Sequence, residues 1–550
     1  MKEQLTRWLS VRDESYARSR RFYLRGLGAV YLVAILSWWI QIDELVGSRG
    51  LLPMAKYLPL AGESLQTQGY RPFTTIPTIF WLNQSDLFLH IACAVGVLLA
   101  LAVLAGYATG PCLAGLWFIY LSFVGTGQVF MQFQWDILLV EAGFLAIFFA
   151  PWSTLRLRPL PLGWGERIAL WLQWFLIAKL MFESGWVKLA WATPDQPEWW
   201  PAGTAMTFHY FTQPLPTWIA WWAHQLPDWM QKASLWPMYF VELLLPIFVC
   251  FGARGRLIAA LGFVGLMLLI LSTGNYTYFN WLTIVLCLPL VADRYWRLPR
   301  RRKQLPTADS TGFNPTSDPV DSESPIAVVS PLPARHQREY ASLAFRMVPL
   351  GVVALLNAAT VLGDLHSASA LPGATLRSVS LKADLVPGFL NRLRQELAPW
   401  HLVNGYGLFR TITTERPEIV LQGSTNGVTW RDYDVAHKPG PLAGRPDFIA
   451  PHQPRVAWQF WFAALERQYH PRSSNAAWMS SLVLKLLEND PIALRLFEKN
   501  PFPEGPPTMI RAKLFLYEFT TLEERRETGN WWKRREVGLY LPQVGRNAAG

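Results

Sequence analysis

Apolar runs long enough to cross a bilayer recur as far as about residue 363 and then stop, a span needing about 20 helical residues at 1.5 Å rise. Phe22 to Ile42 is the first. Further runs at roughly 87–107, 111–126, 132–152, 167–187, 235–252, 257–273, 277–292 and 345–363 bring the expectation to about nine, with Gly110-Pro111 breaking the second from the third. Segments 43–86 and 189–234 are too interrupted by Pro and Gly, and too rich in Trp, for spans; they read as loops with pieces lying at the bilayer boundary. Residues 301–344 begin with basic residues and continue rich in Pro and Ser without periodicity, the composition of a disordered cytoplasmic linker.

Beyond residue 364 the period changes. PEIVLQGSTNGVTWRDYDV alternates apolar and polar positions about Ser424-Thr425-Asn426-Gly427, a hairpin signal, and TMIRAKLFLYEFTT and WWKRREVGLYLPQV are two more strand-like runs. VAWQFWFAALERQY, NAAWMSSLVLKLLEND and PIALRLFEKN have helical spacing between them, the last opened by Asp490-Pro491. The fold class expected is an α-helical polytopic membrane bundle, 1–300 plus a final span at 345–363. A soluble α+β domain with an antiparallel sheet or sandwich follows over 364–550.

Charge fixes an orientation. The formal charge is +11 over 550 residues, 51% of them hydrophobic, and the basic residues collect beside apolar runs: around Arg18 to Arg21, at Arg156 and Arg158, at Arg254 and Arg256, and from Arg294 through the run at 300–303. Such clusters mark the cytoplasmic side. The N terminus is therefore expected inside and the 364–550 domain outside, with no nucleic-acid footprint. Cys93, Cys112, Cys250 and Cys287 all lie in apolar segments without metal-ligand spacing, so the tail has neither disulfide nor thiol redox site.

The run QFQWDILLVEAGFLAIFFAPW, Gln132 to Trp152, carries Gln134, Asp136 and Glu141 in its first half. An ionised carboxylate at bilayer depth costs at least roughly 2.5 to 3.5 kcal/mol, so each should face protein and find a partner. Lys179, Lys188 and Arg25 are the candidates for that pairing. With Gln134 and Lys179 the two carboxylates form an expected intramembrane polar network; Asp136 at the interfacial end of its helix and Glu141 in a structural ion pair is the reading without chemistry. In AKLMFESGWVKLAWA, Lys179 and Glu183 are four apart and able to pair, while Lys188 lies on the opposite face among tryptophans. A desolvated lysine can act as a base; one at a helix end can equally snorkel to the interface.

His90, His209 and His224 sit in separate segments without ligand spacing, so no metal is expected. In the tail, Trp400, His401 and Asn404 on one loop and His452, Gln453 and Arg455 on another are polar clusters set among aromatics. They suit either a client-binding surface or a buried hydrogen-bond network.

The runs FMQFQWDILLVEAGFLAIFFAPW, LMFESGWVKLAW and FHYFTQPLP, and in the tail PWHLVNGYGLF, APHQPRVAWQFWFAAL, NPFP and TGNWWKRREVGLYLP, resemble the lipase maturation factor family from about Gln128 to Pro542. In animals the family consists of polytopic endoplasmic reticulum proteins whose luminal domain is needed for secreted lipases to fold. The resemblance thus implies a membrane-bound maturation factor, not an enzyme, with exported clients such as lipases as partners and no cofactor. A tail without cysteine or N-x-S/T acceptor points to a bacterial-type member in the inner membrane, or to the endoplasmic reticulum membrane if the chain is eukaryotic. A weaker similarity joins the membrane half to vitamin K-dependent γ-glutamyl carboxylases through Gly185 to Leu189. It implies the alternative: an integral-membrane enzyme using Lys188 as a base, with Glu183 or Asp136 beside it, on a lipophilic, quinone-like substrate or lipid. Those enzymes have an Asn-His pair where this chain has Trp135-Asp136.

Overall fold

The computed structural model describes residues 15–191, 195–296, 346–360 and 387–546. The linker at 301–344 lies outside them, as do 361–363 of the last expected span and the start of the tail to 386.

Helix α1 (Ala17–Trp39) is followed by an amphipathic α2 (Met54–Thr67) and by α3 (Asp86–Ala105), which packs along α1. Next come α4 (Thr109–Thr126), α5 (Gln134–Phe149) and α6 (Trp164–Ala190), each packed on its predecessor. The segment 189–234 forms three short helices, α7 (Ala205–Thr212), α8 (Trp218–His224) and α9 (Asp228–Tyr239), and α10 (Gly252–Thr273) and α11 (Phe279–Cys287) complete this half. Helix α12 is Arg346–Thr360.

Among the described residues four helices, α1, α3, α4 and α10, are long and apolar enough to cross a membrane, where the apolar runs had suggested nine. The difference has local causes. Helix α5 is 16 residues long, α11 is nine, and the 27 residues of α6 include Glu166, Arg167, Lys179, Glu183 and Lys188. The run at 235–252 is no regular α-helix: α9 passes into a π-helical turn at Phe240–Leu244 and then one α-turn at Leu245–Phe248, with Pro237 and Pro246 on either side. Each proline removes one backbone donor from the regular α-helical ladder. Along α3, Leu87, Ile91, Val95, Leu98 and Leu101 are exposed at helical spacing, an apolar stripe suited to lipid. Trp218, Trp222, Trp229 and Trp236 of α8 and α9 are likewise exposed, as tryptophans at a bilayer boundary would be.

Close approaches and ion pairs tie the bundle together. Gly143 of α5 lies under Tyr31 of α1, whose hydroxyl donates to the Leu139 carbonyl at 3.1 Å; a Cβ on Gly143 would sit 1.9 Å from the Tyr31 hydroxyl oxygen. Glu166 receives Arg20 at 3.1 Å and Arg346 at 3.0 Å, joining α1, α6 and α12. Arg25 spends a donor on the Ala105 carbonyl at 3.1 Å, on the exposed rim, and partners neither intramembrane carboxylate.

The tail carries α13 (Gly388–Leu397), then a four-stranded antiparallel sheet of β1 (Arg416–Ser424), β2 (Arg431–Tyr433), β3 (Met509–Phe519) and β4 (Trp532–Gly545) in the order β2-β1-β3-β4. Among the described residues this single sheet, not a sandwich, is what the strand-like runs form. The β1–β2 hairpin turns where expected: Gly427 takes φ 72° and Ser424 Oγ accepts from the amides of Asn426 and Gly427. Leu421 is paired with Tyr433 on one side and Ala512 on the other. Helix α14 (Arg455–Leu465) packs on β1 and α15 (Ala476–Leu487) on β3, while PIALRLFEKN gives one turn, capped by Asp490. The buried apolar core runs unbroken from Tyr23 and Leu27 of α1 to Phe460, Trp478 and Leu514 of the tail. The tail is docked onto the helices, not tethered beside them.

Candidate functional site

The docking surface is polar at its centre. Asp136 sits in the first turn of α5, where a helix terminus favours an anion, and is fully buried. Its carboxylate accepts from Arg455 Nη1 at 2.9 Å and Nη2 at 3.0 Å, from Tyr120 Oη at 2.7 Å and from Tyr278 Oη at 2.5 Å. Arg455 opens α14, so an acid of the helical half is neutralised by a base of the tail. Burial works against the guanidinium charge and Asp136 more than offsets it, which keeps Arg455 a cation. Around the pair, Gln453 Oε1 accepts from Trp135 Nε1 at 2.8 Å, the Gln453 amide donates to Ser37 Oγ at 2.9 Å, and the Arg455 amide to Gln41 Oε1 at 3.0 Å.

A second cluster lies two turns along α5. Glu141 accepts from Lys179 Nζ at 2.9 Å, from the Asn404 amide and side chain at 2.9 Å each, and from Tyr406 Oη at 2.7 Å. Lys179 also donates to Asn357 Oδ1 at 2.7 Å and the Asn404 carbonyl at 2.9 Å. Glu183 takes the Tyr406 amide at 2.8 Å and Gln134 the Gly407 amide at 3.1 Å. Every member of the expected polar network therefore holds the tail loop 404–407 or the α14 entry. The basic partner of Asp136 comes from the tail, where another span had been the expectation.

The six tail residues read as a client surface are placed differently from an outer face. Gln453 and Arg455 are fully buried, Asn404 is committed to Glu141, His401 Nδ1 lies 3.1 Å from Asn404 Oδ1, and His452 Nδ1 lies 2.9 Å from Ser37 Oγ. Trp400 is half-buried and stacked on Trp117 of α4. Asn404, His452, Gln453 and Arg455 bond across to the helical half, which places these residues at the seam, where buried polar groups find partners. Burial, with the nearby His437 and Arg455, holds the His452 imidazole down to about 4, and burial lowers His401 as well. An imidazole neutral in the fold and ordinary when unfolded makes the unfolded chain the better proton binder in acid. Stability should therefore fall as pH drops from about 6.5 towards 4, with roughly 2 kcal/mol from His452 after discounting for its partial exposure. Melting of the purified protein across pH 4 to 8 checks this, and His452→Gln should flatten the acid limb.

Lys188 is neither a snorkelling lysine nor a neighbour of Asp136: its Nζ lies 2.8 and 2.6 Å from the two carboxylate oxygens of Glu242, and both side chains are buried. Sequence reading passed over Glu242, although the cost of a carboxylate inside the apolar run FVELLLPIFVC is the signal that found Asp136 and Glu141. Tyr120, Tyr278, Asn357 and Tyr406 carried no such signal. Arg416, buried in β1, donates to Glu418 and to the carbonyls of Phe211, Gln213 and Pro214, a third link between the halves.

Between the halves runs a cleft of about 590 Å³ walled by Phe133 and Trp186 from the helices and by Tyr406, Phe409, Trp458 and Phe462 from the tail. Arg410 lies over the Trp191 ring at its edge, 4.0 Å from the centroid. Among the described residues no group of His, Cys, Asp or Glu is placed to hold a metal.

A helical membrane half with a mixed α+β tail locked into it through buried ion pairs defines the class of protein. The lipase maturation factor transmembrane domain matches residues 18–298, and the lipase maturation factor C-terminal domain matches 402–542. Lipase maturation factor 2 of Gallus gallus is 33% identical, over 96% of this chain and 81% of its own length. The Homo sapiens lipase maturation factor 2 is 33% identical over 96% and 82%, and Homo sapiens lipase maturation factor 1 is 31% identical over 96% and 88%. This chain belongs to the lipase maturation factor family. No solved structure matches it significantly.

Proposed function

We propose that the protein is a membrane-anchored maturation factor for exported proteins, lipases among them, and that the client engages the aromatic cleft between its two halves. The cleft carries this reading. It is built by both halves, it offers the aromatic and arginine side chains that dominate binding surfaces, and Phe462 within it is 40% exposed. The basic clusters at 18–21, 156–158 and 254–256 support an orientation in which the opposite, cleft-bearing side faces away from the cytoplasm. The cysteine-free tail suits a bacterial inner membrane; in an endoplasmic reticulum the same cleft would open to the lumen.

The carboxylase-like alternative has less support. Asp136 and Glu183 are engaged by the tail, and Lys188 Nζ is held by both carboxylate oxygens of Glu242, so none of the three stands free for a substrate. A photo-crosslinking residue at position 462, with a control at exposed Trp171 on α6, tests the client reading in cells exporting a lipase. Adducts should form at 462 only, and with the signal-cleaved lipase, since only exported chains reach the cleft. Equal capture at both positions, or capture of the uncleaved precursor alone, would sink it.

A further inference from the structure

A second cavity, of about 380 Å³, lies in the helical half between α6, α7 and α10 and is closed by Leu408 and Phe409 of the tail. Its walls are mainly apolar, with Leu180, Met181, Met206, Leu266 and Ile270 among them, and its polar groups include Lys188, Glu242, His209 and Tyr276 beside several hydroxyls such as Ser184 and Thr273. Protein interiors pack with few voids larger than a water molecule, and ligand pockets begin at about 300 Å³, so a space of this size and lining is that of a ligand.

The polar end is built, not incidental. Glu242 is carried by the π-helical turn, an irregularity that recurs at functional sites. That turn can approach α6 because residue 185 is glycine: a Cβ there would stand 2.8 Å from Glu242 Cβ. Lys188 also lies over the Trp199 ring, 5.3 Å from its centroid. His209, whose Nε2 is 3.3 Å from Tyr276 Oη, is pushed down to about 4 by burial and by Lys188, and so is neutral. The end of the cavity thus offers donors and acceptors with no net charge.

That balance selects the ligand. An anionic head would draw Lys188 from Glu242 and strand a buried carboxylate; a cationic head would strand the lysine. An uncharged hydroxyl or ester can take the donor of Lys188 that Glu242 leaves over. The cavity is of a size for one acyl chain rather than two. At its rim Leu226 and Leu269 are exposed, the latter on membrane-length α10, so the way in is from the hydrocarbon. We propose that this cavity binds a single-chain, uncharged amphiphile of the monoacylglycerol type, drawn from the bilayer, with its oxygens at the Lys188–Glu242 pair.

The site stands apart from the client reading, although Leu408 and Phe409 wall both spaces. The φ of 54° at Phe409 is a conformation side chains rarely adopt, and Phe409 is propped by His209, ring centroids 4.8 Å apart, and by Trp199 Nε1 donating to its carbonyl at 2.8 Å.

The test uses the full-length protein in phosphatidylcholine nanodiscs with three diazirine-tagged probes: a monoacylglycerol, a fatty acid and a phosphatidylcholine. The monoacylglycerol should label peptides covering 180–188 or 206–209, and excess unlabelled monoolein should suppress that labelling. The other two probes should label these peptides about tenfold less. Glu242→Gln removes the negative charge and should turn the preference towards the fatty acid, a change that loss of packing alone would not produce. Should that variant not fold, saturability and probe order in the unaltered protein decide. Labelling that monoolein does not suppress, or a fatty acid or phosphatidylcholine probe equal to the monoacylglycerol, overturns the proposal.

Discussion

Arg455→Met will leave little folded protein in the membrane. The substitution keeps most of the side-chain volume but removes the cation that two oxygens of Asp136 share, leaving a carboxylate with 0% exposure to two tyrosine hydroxyls. Breaking a buried pair from one side costs about 3–5 kcal/mol, a large part of the stability of an ordinary domain. Asp136→Asn should be damaging for the reciprocal reason, with Arg455 then buried beside a neutral amide. The double variant Asp136→Asn with Arg455→Met should lose less than the two single losses added together, because neither charge is then stranded. The check is the folded fraction recovered in mild detergent, by gel filtration and protease resistance. Single variants that fold as well as the parent would show that the pair does not hold the halves together.

Lys179→Met should come second in severity and act on a narrower region. Glu141 keeps its three donors from Asn404 and Tyr406, but Asn357 Oδ1 and the Asn404 carbonyl lose theirs, and a buried carboxylate loses its counter-charge. A cost of about 3 kcal/mol is expected. It should show first as faster amide exchange in the loop 400–410, where the Asn404, Tyr406 and Gly407 amides are tied to acceptors on α5 and α6. Lys179→Met combined with Glu141→Gln should recover part of the loss. Uniform exchange changes across the tail would contradict so local a role.

These two pairs differ in how far the chain itself announced them. That Asp136 and Glu141 need partners follows from the cost of charge in an apolar run, and Lys179 is reachable by the same logic. That the partner of Asp136 is Arg455 does not follow, because the two are 319 positions apart and one sequence carries no record of distant pairing. Polar groups embedded in aromatics at 400–404 and 452–455 suited a surface and a seam equally, and only burial separates the two. The apolar runs of α1, α3, α4 and α10 and the hairpin at Gly427 were legible because period, breakers and turn residues agree locally. The π-helical irregularity at Phe240–Leu244 lies between Pro237 and Pro246, but mean hydropathy outweighed that signal.

The distance between Asp136 and Arg455 also sets a timetable. A chain made from its N terminus exposes the acid to the insertion machinery well before the arginine exists, so for that interval the helical half is an unfinished membrane protein, with Tyr120 on α4 the first partner available. Release of the tail completes it. A nonsense change anywhere before codon 455 is thus a defect of membrane assembly as well as the loss of a domain, and the cell's disposal of such chains should begin in the bilayer.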